Sequence, residues 1–247
     1  MKKPLLLLIS ALMSACAIHT GSSLQLPARL STFSPETPIA CHYEKQVFTT
    51  GHPPSSPTDW YFWRDEHHTE TRDEASRQGD LWERDGREQL TYTRIFLDEK
   101  ATLEYSSVDL LTSGMTPPWQ QLRSLVDPKA LGAVLKRQPG ATRSGLVVEH
   151  YTGTLDGMVT DIDWLPRLQL PARLEKKTGQ GGFSLRLTTC HPLEKAAWKP
   201  GSLEARNRFR ALEYTDLGDM ESDPQVKRLL DSMGEQAHAH HQGQGPQ

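Results

Sequence analysis

The chain is 247 residues long, with a formal net charge of −3, 24% charged and 36% hydrophobic residues. That length suits one large domain or two small ones. The mild acidity and the lack of any basic block exclude nucleic acid as an expected partner.

Residues 1–15 carry Lys2 and Lys3, an apolar run over 5–13, then Ser14 and Ala15. A charged start, a short apolar run and small residues are the layout of a secretory signal peptide. The run is too short to cross a bilayer as a helix, which needs roughly 20 apolar residues. No other stretch approaches that length. Met13-Ser14-Ala15-Cys16 resembles the lipobox of bacterial lipoproteins. What that implies is acylation of Cys16, cleavage before it, and a mature chain held to a membrane by its N-terminal lipid. Ala17, rather than Asp, implies sorting to the outer membrane, facing the periplasm. The alternative is an ordinary signal peptide that leaves Cys16 as a free thiol. Residues 16–35, small and polar with scattered apolar residues, read as a tether.

Strand patterns begin near residue 38 and fill a domain over 36–215. Residues 39–49 carry Tyr43, Val47 and Phe48. Residues 59–73 open with Trp60-Tyr61-Phe62-Trp63 and turn fully polar from Arg64. Residues 80–84, 89–97 and 101–106 continue an antiparallel meander with tight turns at Asp85-Gly86 and 98–100. An insert over 117–137 breaks it. Trp119, Leu122, Leu125 and Val126 fall at helical spacing, and Asp127-Pro128 caps a second helix carrying Leu131, Val134 and Leu135. Pro139-Gly140 reads as the turn that ends the insert. Residues 144–155 and 158–164 form a hairpin across Asp156-Gly157. Residues 165–174, with Pro166 and Pro171, read as an edge or bent strand. Residues 183–190 alternate well, and 208–214 offer a last strand. Residues 216–247 supply a helix over 224–234 and a His-rich, low-complexity tail. The fold class is mainly β (α+β): an incomplete antiparallel barrel or strongly curved sheet, with a two-helix insert packed on its concave face.

Cys41 and Cys190 are each followed by a histidine, His42 and His191. An oxidising compartment permits a disulfide between them. Metal binding by the two Cys-His pairs is opposed by strand geometry, since adjacent residues point to opposite faces. Free thiols are the third possibility. His67-His68, with Asp65, Glu66, Glu70 and Asp73, reads as a solvated edge before it reads as a metal or acid–base cluster. Asp161 and Asp163 face one side of a strand, and with no evident partner they read as surface charge. His150 reads as a partly buried strand histidine. His238, His240 and His241 suit weak Zn, Cu or Ni capture, yet a flexible tail gives no fixed geometry. No nucleophile elbow, zinc-protease signature, phosphate loop or Cys-x-x-Cys is present. No enzyme and no cofactor are therefore expected.

Trp164-Leu165-Pro166, followed by Leu170-Pro171-Ala172-Arg173-Leu174-Glu175 and a closing hairpin, carries a resemblance over about residues 38–190. The chain resembles the lipoprotein-localisation superfamily of periplasmic carrier and lipidated outer-membrane receptor. The resemblance implies helices plugging a half-barrel around an apolar cavity. Candidate lining residues are Trp60, Phe62, Tyr92, Phe96, Trp119, Leu122, Leu131 and Trp164. The expected function is a monomeric envelope lipoprotein that takes an acyl chain, a lipid or a lipoprotein. Docking of an envelope partner through the sheet is the alternative. A metal-responsive role for the His clusters is the third.

Overall fold

The computed structural model describes Leu26 and residues 30–143, 145–220 and 222–241, with side chains as far as residue 233. Residues 1–15, Cys16 and most of the tether lie outside the described residues. So do the side chains of His238, His240 and His241.

The first half of the sheet is β1 (Ile39–Thr49), β2 (Thr58–Arg64), β3 (His68–Asp73), β4 (Gln78–Arg84), β5 (Leu90–Phe96) and β6 (Ala101–Tyr105). Three short helices follow: α1 (Ser107–Ser113), α2 (Trp119–Ser124) and α3 (Pro128–Val134). The second half is β7 (Lys136–Arg143), β8 (Leu146–Leu155), β9 (Met158–Leu165), β10 (Leu170–Lys177) and β11 (Gly181–Pro192). The one-turn α4 (Leu203–Arg206), β12 (Arg210–Glu213) and α5 (Pro224–His241) complete the chain.

All twelve strands join one open sheet in the order β12-β6-β5-β4-β3-β2-β1-β11-β10-β9-β8-β7. It is a mainly β fold, not closed into a barrel. Eleven strands make antiparallel neighbours, but β12 lies parallel to β6. The expectation of a wholly antiparallel sheet is corrected there. After β11 the chain does not turn back beside its neighbour. It crosses the sheet and approaches β6 from the far side.

Three local expectations also change. The stretch 59–73 splits into two strands, because Asp65 Oδ1 accepts from the backbone N–H groups of His67 and His68 and turns the chain. Pro139-Gly140 does not end the insert. It lies inside β7, at a bulge between Gln138 and Ala141. Edge strands tolerate proline because no ladder donor is lost. Of the two readings of residues 165–174, the edge strand fails and the bent strand holds. These residues hold a turn and then β10, which sits between β9 and β11 and bends at a bulge between Pro171 and Arg173.

The β8–β9 hairpin forms as expected. Asp156 and Gly157 both take positive φ, 52° and 74°, the pair that a two-residue turn of matching twist requires. The helix α1 was not expected. Its start is a capping box: Asp109 N–H bonds the Ser106 hydroxyl, while the Asp109 carboxylate accepts from Ser106 N–H. Such reciprocal bonds satisfy donors that a helix start leaves open.

Strand alternation gives the sheet two distinct faces. On the inner face, Ile39, Cys41, Tyr43, Phe62, Ile162, Trp164, Leu174, Leu185 and Leu187 form the larger core with Val126, Leu131 and Leu135 of the insert. The insert thus packs on the sheet as expected. A second core gathers Phe96, Leu103, Tyr105 and Leu110 with Leu212, Val226 and Leu229. The outer face carries a small cluster of Ala40, Trp63 and Ala196, with Tyr61, Leu193 and Trp198 packed against it.

Candidate functional site

The insert over the larger core is the first candidate site. Helix α2 follows Pro118, which makes no side-chain cap bond, and ends at Leu125 in the left-handed region at φ 63°. That conformation costs a leucine roughly 1–2 kcal/mol. Asp127 then caps α3 by accepting from Lys129 N–H, with Pro128 at the first helical position. Leu131 enters the core beneath.

A buried arginine closes the arrangement. Arg64, 1% exposed, ends β2 on the inner face. It donates from Nη1 to the carbonyl of Arg123 at 2.8 Å. From Nη2 it donates to the carbonyls of Leu168 at 2.8 Å and Ser34 at 3.3 Å. One guanidinium therefore ties the end of α2, the β9–β10 turn and the segment before β1. Arg123, 5% exposed, donates in turn to the Pro35 carbonyl at 2.8 Å and to Glu36 at 3.4 Å. Burial, then the positive charge of Arg123, pulls the Arg64 guanidinium down to about 10, so it stays charged at neutral pH. Burial also pushes up the phenol of Tyr43, whose hydroxyl donates to the Pro171 carbonyl at 3.0 Å.

The eight lining candidates do not share one environment. Phe62, Leu131 and Trp164 are buried in the larger core, with Trp60 against it. Phe96 is buried in the second core, with Tyr92 beside it. Tyr92 stacks on Trp82 at 4.5 Å and donates to Asp80 at 2.6 Å. Leu122 is half-buried. Trp119 lies under the Arg84 guanidinium, 5.0 Å from carbon to ring centre. Between the cores the sheet is polar: the row Phe62, Thr71, Asp80, Arg94, Leu103 runs across five strands in register. Lys45 pairs with Asp73 on the same strip.

On the outer face, residues 193–209 cross the sheet as a strap. Glu70, 3% exposed, accepts from Gly201 N–H at 2.9 and 3.0 Å and from Arg72 at 3.1 Å. Burial raises the Glu70 carboxyl above the usual range, opposed by the Gly201 bond and by Arg72 and Arg206. A cleft of about 200 Å³ opens beside it between Trp63, His68, Leu81, Glu83 and Arg206. Trp198 of the strap lies near Tyr61 and His42, and His191 meets its edge at 5.2 Å.

Cys41 and Cys190 form a disulfide between directly paired residues of β1 and β11. His42 points away from it, with Nε2 at 2.8 Å from Asp59. Asp161 and Asp163 do have partners, contrary to expectation. Arg173 pairs with both, and His150 Nδ1 lies 3.0 Å from Asp163. Their partner was hidden because the β10 bulge sets which residue faces them. His67 and His68 are exposed, and His68 sits between Asp65 and Glu83. Among the described residues, no group of three or more His, Cys, Asp or Glu side chains is placed to hold a metal ion. No described helix is long and apolar enough to cross a membrane.

No family model and no curated protein matches the chain. Similar solved structures include PNGF-II, at 10% identity and a TM-score of 0.40, covering 74% of this chain. The chain spans about a third of the length of PNGF-II, 33%. They also include the Pseudomonas aeruginosa MucA/MucB complex, at 12% identity and TM-score 0.34, covering 72% of this chain and 59% of that one. A putative outer membrane lipoprotein-sorting protein domain from Vibrio parahaemolyticus stands at 8% identity and TM-score 0.32, covering 70% and 90%. A LolA superfamily protein from Nitrosomonas europaea is a further structural neighbour.

Proposed function

We propose that the chain is a cell-envelope binding protein that takes an apolar chain, such as a lipid acyl group, between the α2–α3 insert and the inner face of the sheet. The observation that carries this reading is how the insert is held. Its apolar side rests on the larger core, while its polar ties are made by side chains: the Arg123 carbonyl accepts from Arg64, the Arg123 guanidinium donates to Pro35 and Glu36, and Gln120 donates to Gln169. A cover with an apolar underside and ties of this kind can be displaced without unzipping any strand pair. The disulfide supports an oxidising compartment, and the layout of residues 1–16 supports export with a lipid anchor at Cys16.

The test is binding of a fluorescent fatty acid to the full-length chain. Saturable binding, competed by unlabelled lipid and weakened at least several-fold by Leu131→Trp, is the expected result. No saturable binding, with no lipid found by mass spectrometry of the purified protein, would overturn it. A second reading, docking of a protein partner, is favoured by the outer face, where Tyr61 and Trp198 are half-buried and His191 is exposed.

A further inference from the structure

We infer that α1 and the uncharged stretch behind it form a seat for the surface of a lipid bilayer, with Val108, Leu111 and Met115 as the side chains that enter it. The inference goes beyond the acyl-binding reading and uses a different part of the chain. It rests on the proposed anchor at Cys16 only for which bilayer lies within reach.

Val108, Leu111 and Met115 are 64%, 68% and 38% exposed. Val108 and Leu111 stand three apart on α1 and are therefore neighbours on its surface. Met115 follows just past the end of the helix. Within α1 only Leu110 is buried, in the second core. The exposed side chains do not hang on a loose loop. The capping box fixes the start of α1. At its end Gly114 takes φ 70°, while the N–H groups of Gly114 and Met115 return to the carbonyls of Leu111 and Leu110. That pair of bonds is a helix stop that glycine favours. A short helix closed at both ends thus holds a valine and a leucine out in water, where neither adds to a core. Exposed apolar patches of this kind mark contact surfaces.

The chemistry around the patch says what it contacts. Residues 110–122 carry no Asp, Glu, Lys, Arg or His, in a chain with 24% charged residues. Asp109, just before them, has its carboxylate engaged by the Ser106 N–H and hydroxyl. The Thr112 hydroxyl bonds the carbonyls of Val108 and Asp109, and the Ser113 hydroxyl those of Asp109 and Leu110. The helix spends these donors on its own backbone. The rim of a protein interface is polar and hydrogen-bonded, and this surface offers such a rim no charge. Groups satisfied internally are the ones that leave water at least cost. The position of the chain start agrees. Arg123, which ends the uncharged stretch, holds the Pro35 carbonyl. The chain from Cys16 to Leu30 reaches at most roughly 50 Å, so an anchor keeps this part of the fold near the bilayer. Three side chains hold weakly and reversibly, so the seat orients a chain that the anchor retains and does not replace it.

The experiment takes a chain begun at Ala17, which keeps every described residue, and floats it through a density gradient with excess phosphatidylcholine vesicles. The wild type is expected to float with the vesicles, equally at low and high salt, since no charge pair is there to be screened. Val108→Ser combined with Leu111→Ser is expected to lower partition at least about tenfold. Met115→Ser, outside the helix, should lower it several-fold, and thermal melting checks that the variants fold. Leu131→Trp, placed against the acyl site, is expected to leave partition unchanged. No flotation of the wild type, or flotation that survives these serine changes, overturns the seat. So does flotation that needs anionic lipid and fails at high salt, or that Leu131→Trp abolishes, since it then runs through charge or through the acyl site. A chain that does not float but forms dimers lost in the double variant also overturns it, and gives the stripe to a second copy. Fatty-acid binding is read separately, so its failure leaves the seat standing.

Discussion

Arg64 stands where three backbone segments converge, and its loss would take the donor from the buried carbonyls of Arg123 and Leu168, while the Ser34 carbonyl keeps the Thr37 N–H. Arg64→Leu should cost about 2–4 kcal/mol in urea unfolding, because buried acceptors without donors lose their solvation outright. Arg64→Lys keeps a charge but not the fork, and should fall between. A change under about 0.5 kcal/mol for Arg64→Leu would show that water replaces the guanidinium freely. Glu70 offers a test with a defined sign. Its folded pKa lies above its unfolded value, so the native state holds the proton more tightly. Its contribution is therefore most favourable at acid pH, and falls as pH rises from the ordinary glutamate range through the raised folded value. Measured against pH, the stability of Glu70→Gln relative to wild type should improve across that window and level off above it. A flat difference would mean that Gly201, Arg72 and Arg206 fully offset the burial.

At the scale of elements, the cap of α1 and the disulfide carry separate expectations. Ser106→Ala removes the hydroxyl that accepts from Asp109 N–H and should cost about 1 kcal/mol in thermal or urea unfolding. Replacing Cys41 and Cys190 by alanine opens a loop with a sequence separation of 149. The chain-entropy model sets an upper figure on the order of 4–5 kcal/mol. The measured loss should be smaller, since β1 and β11 stay paired along their length. Free thiols titrated in the denatured, unreduced protein would deny the bridge altogether. Much of this level was legible in the sequence. Strand β1 covers Ile39–Thr49, the span read from its apolar residues, and Asp156-Gly157 and Asp127-Pro128 mark a hairpin and a helix start through backbone chemistry alone. Helix α1 was missed although Ser106-x-x-Asp109 was there to read. Strand β7 was missed because Pro-Gly signals a turn unless the strand is known to be an edge. The parallel pairing of β12 depends on a partner over a hundred residues away. Arg64 was read with the polar run that follows it. The signal was its parity with Trp60 and Phe62, which puts it on the buried face.

At the scale of the whole molecule, the lipid anchor proposed at Cys16 predicts partition. Cys16→Ser should move the exported chain from the membrane fraction to the soluble one, read by fractionation and acyl labelling, and unchanged labelling would defeat the expectation. The strand order has a further consequence. Strand β1 is the first to be made, yet it sits in the middle of the sheet with β11 as one neighbour. A chain that emerges N-terminus first can assemble β1 to β6 as local hairpins. It then presents one side of β1 as an unpaired edge until the whole of β7 to β10 and then β11 (Gly181–Pro192) have arrived. Late, long-range closure of this kind is slow, and open strand edges recruit other chains while they wait. Biogenesis is thus the vulnerable period for this protein. Cys41 must meet the right partner before it meets a neighbour, and chain emergence that outpaces closure in an oxidising medium should show first as intermolecular disulfide-linked aggregates through Cys41.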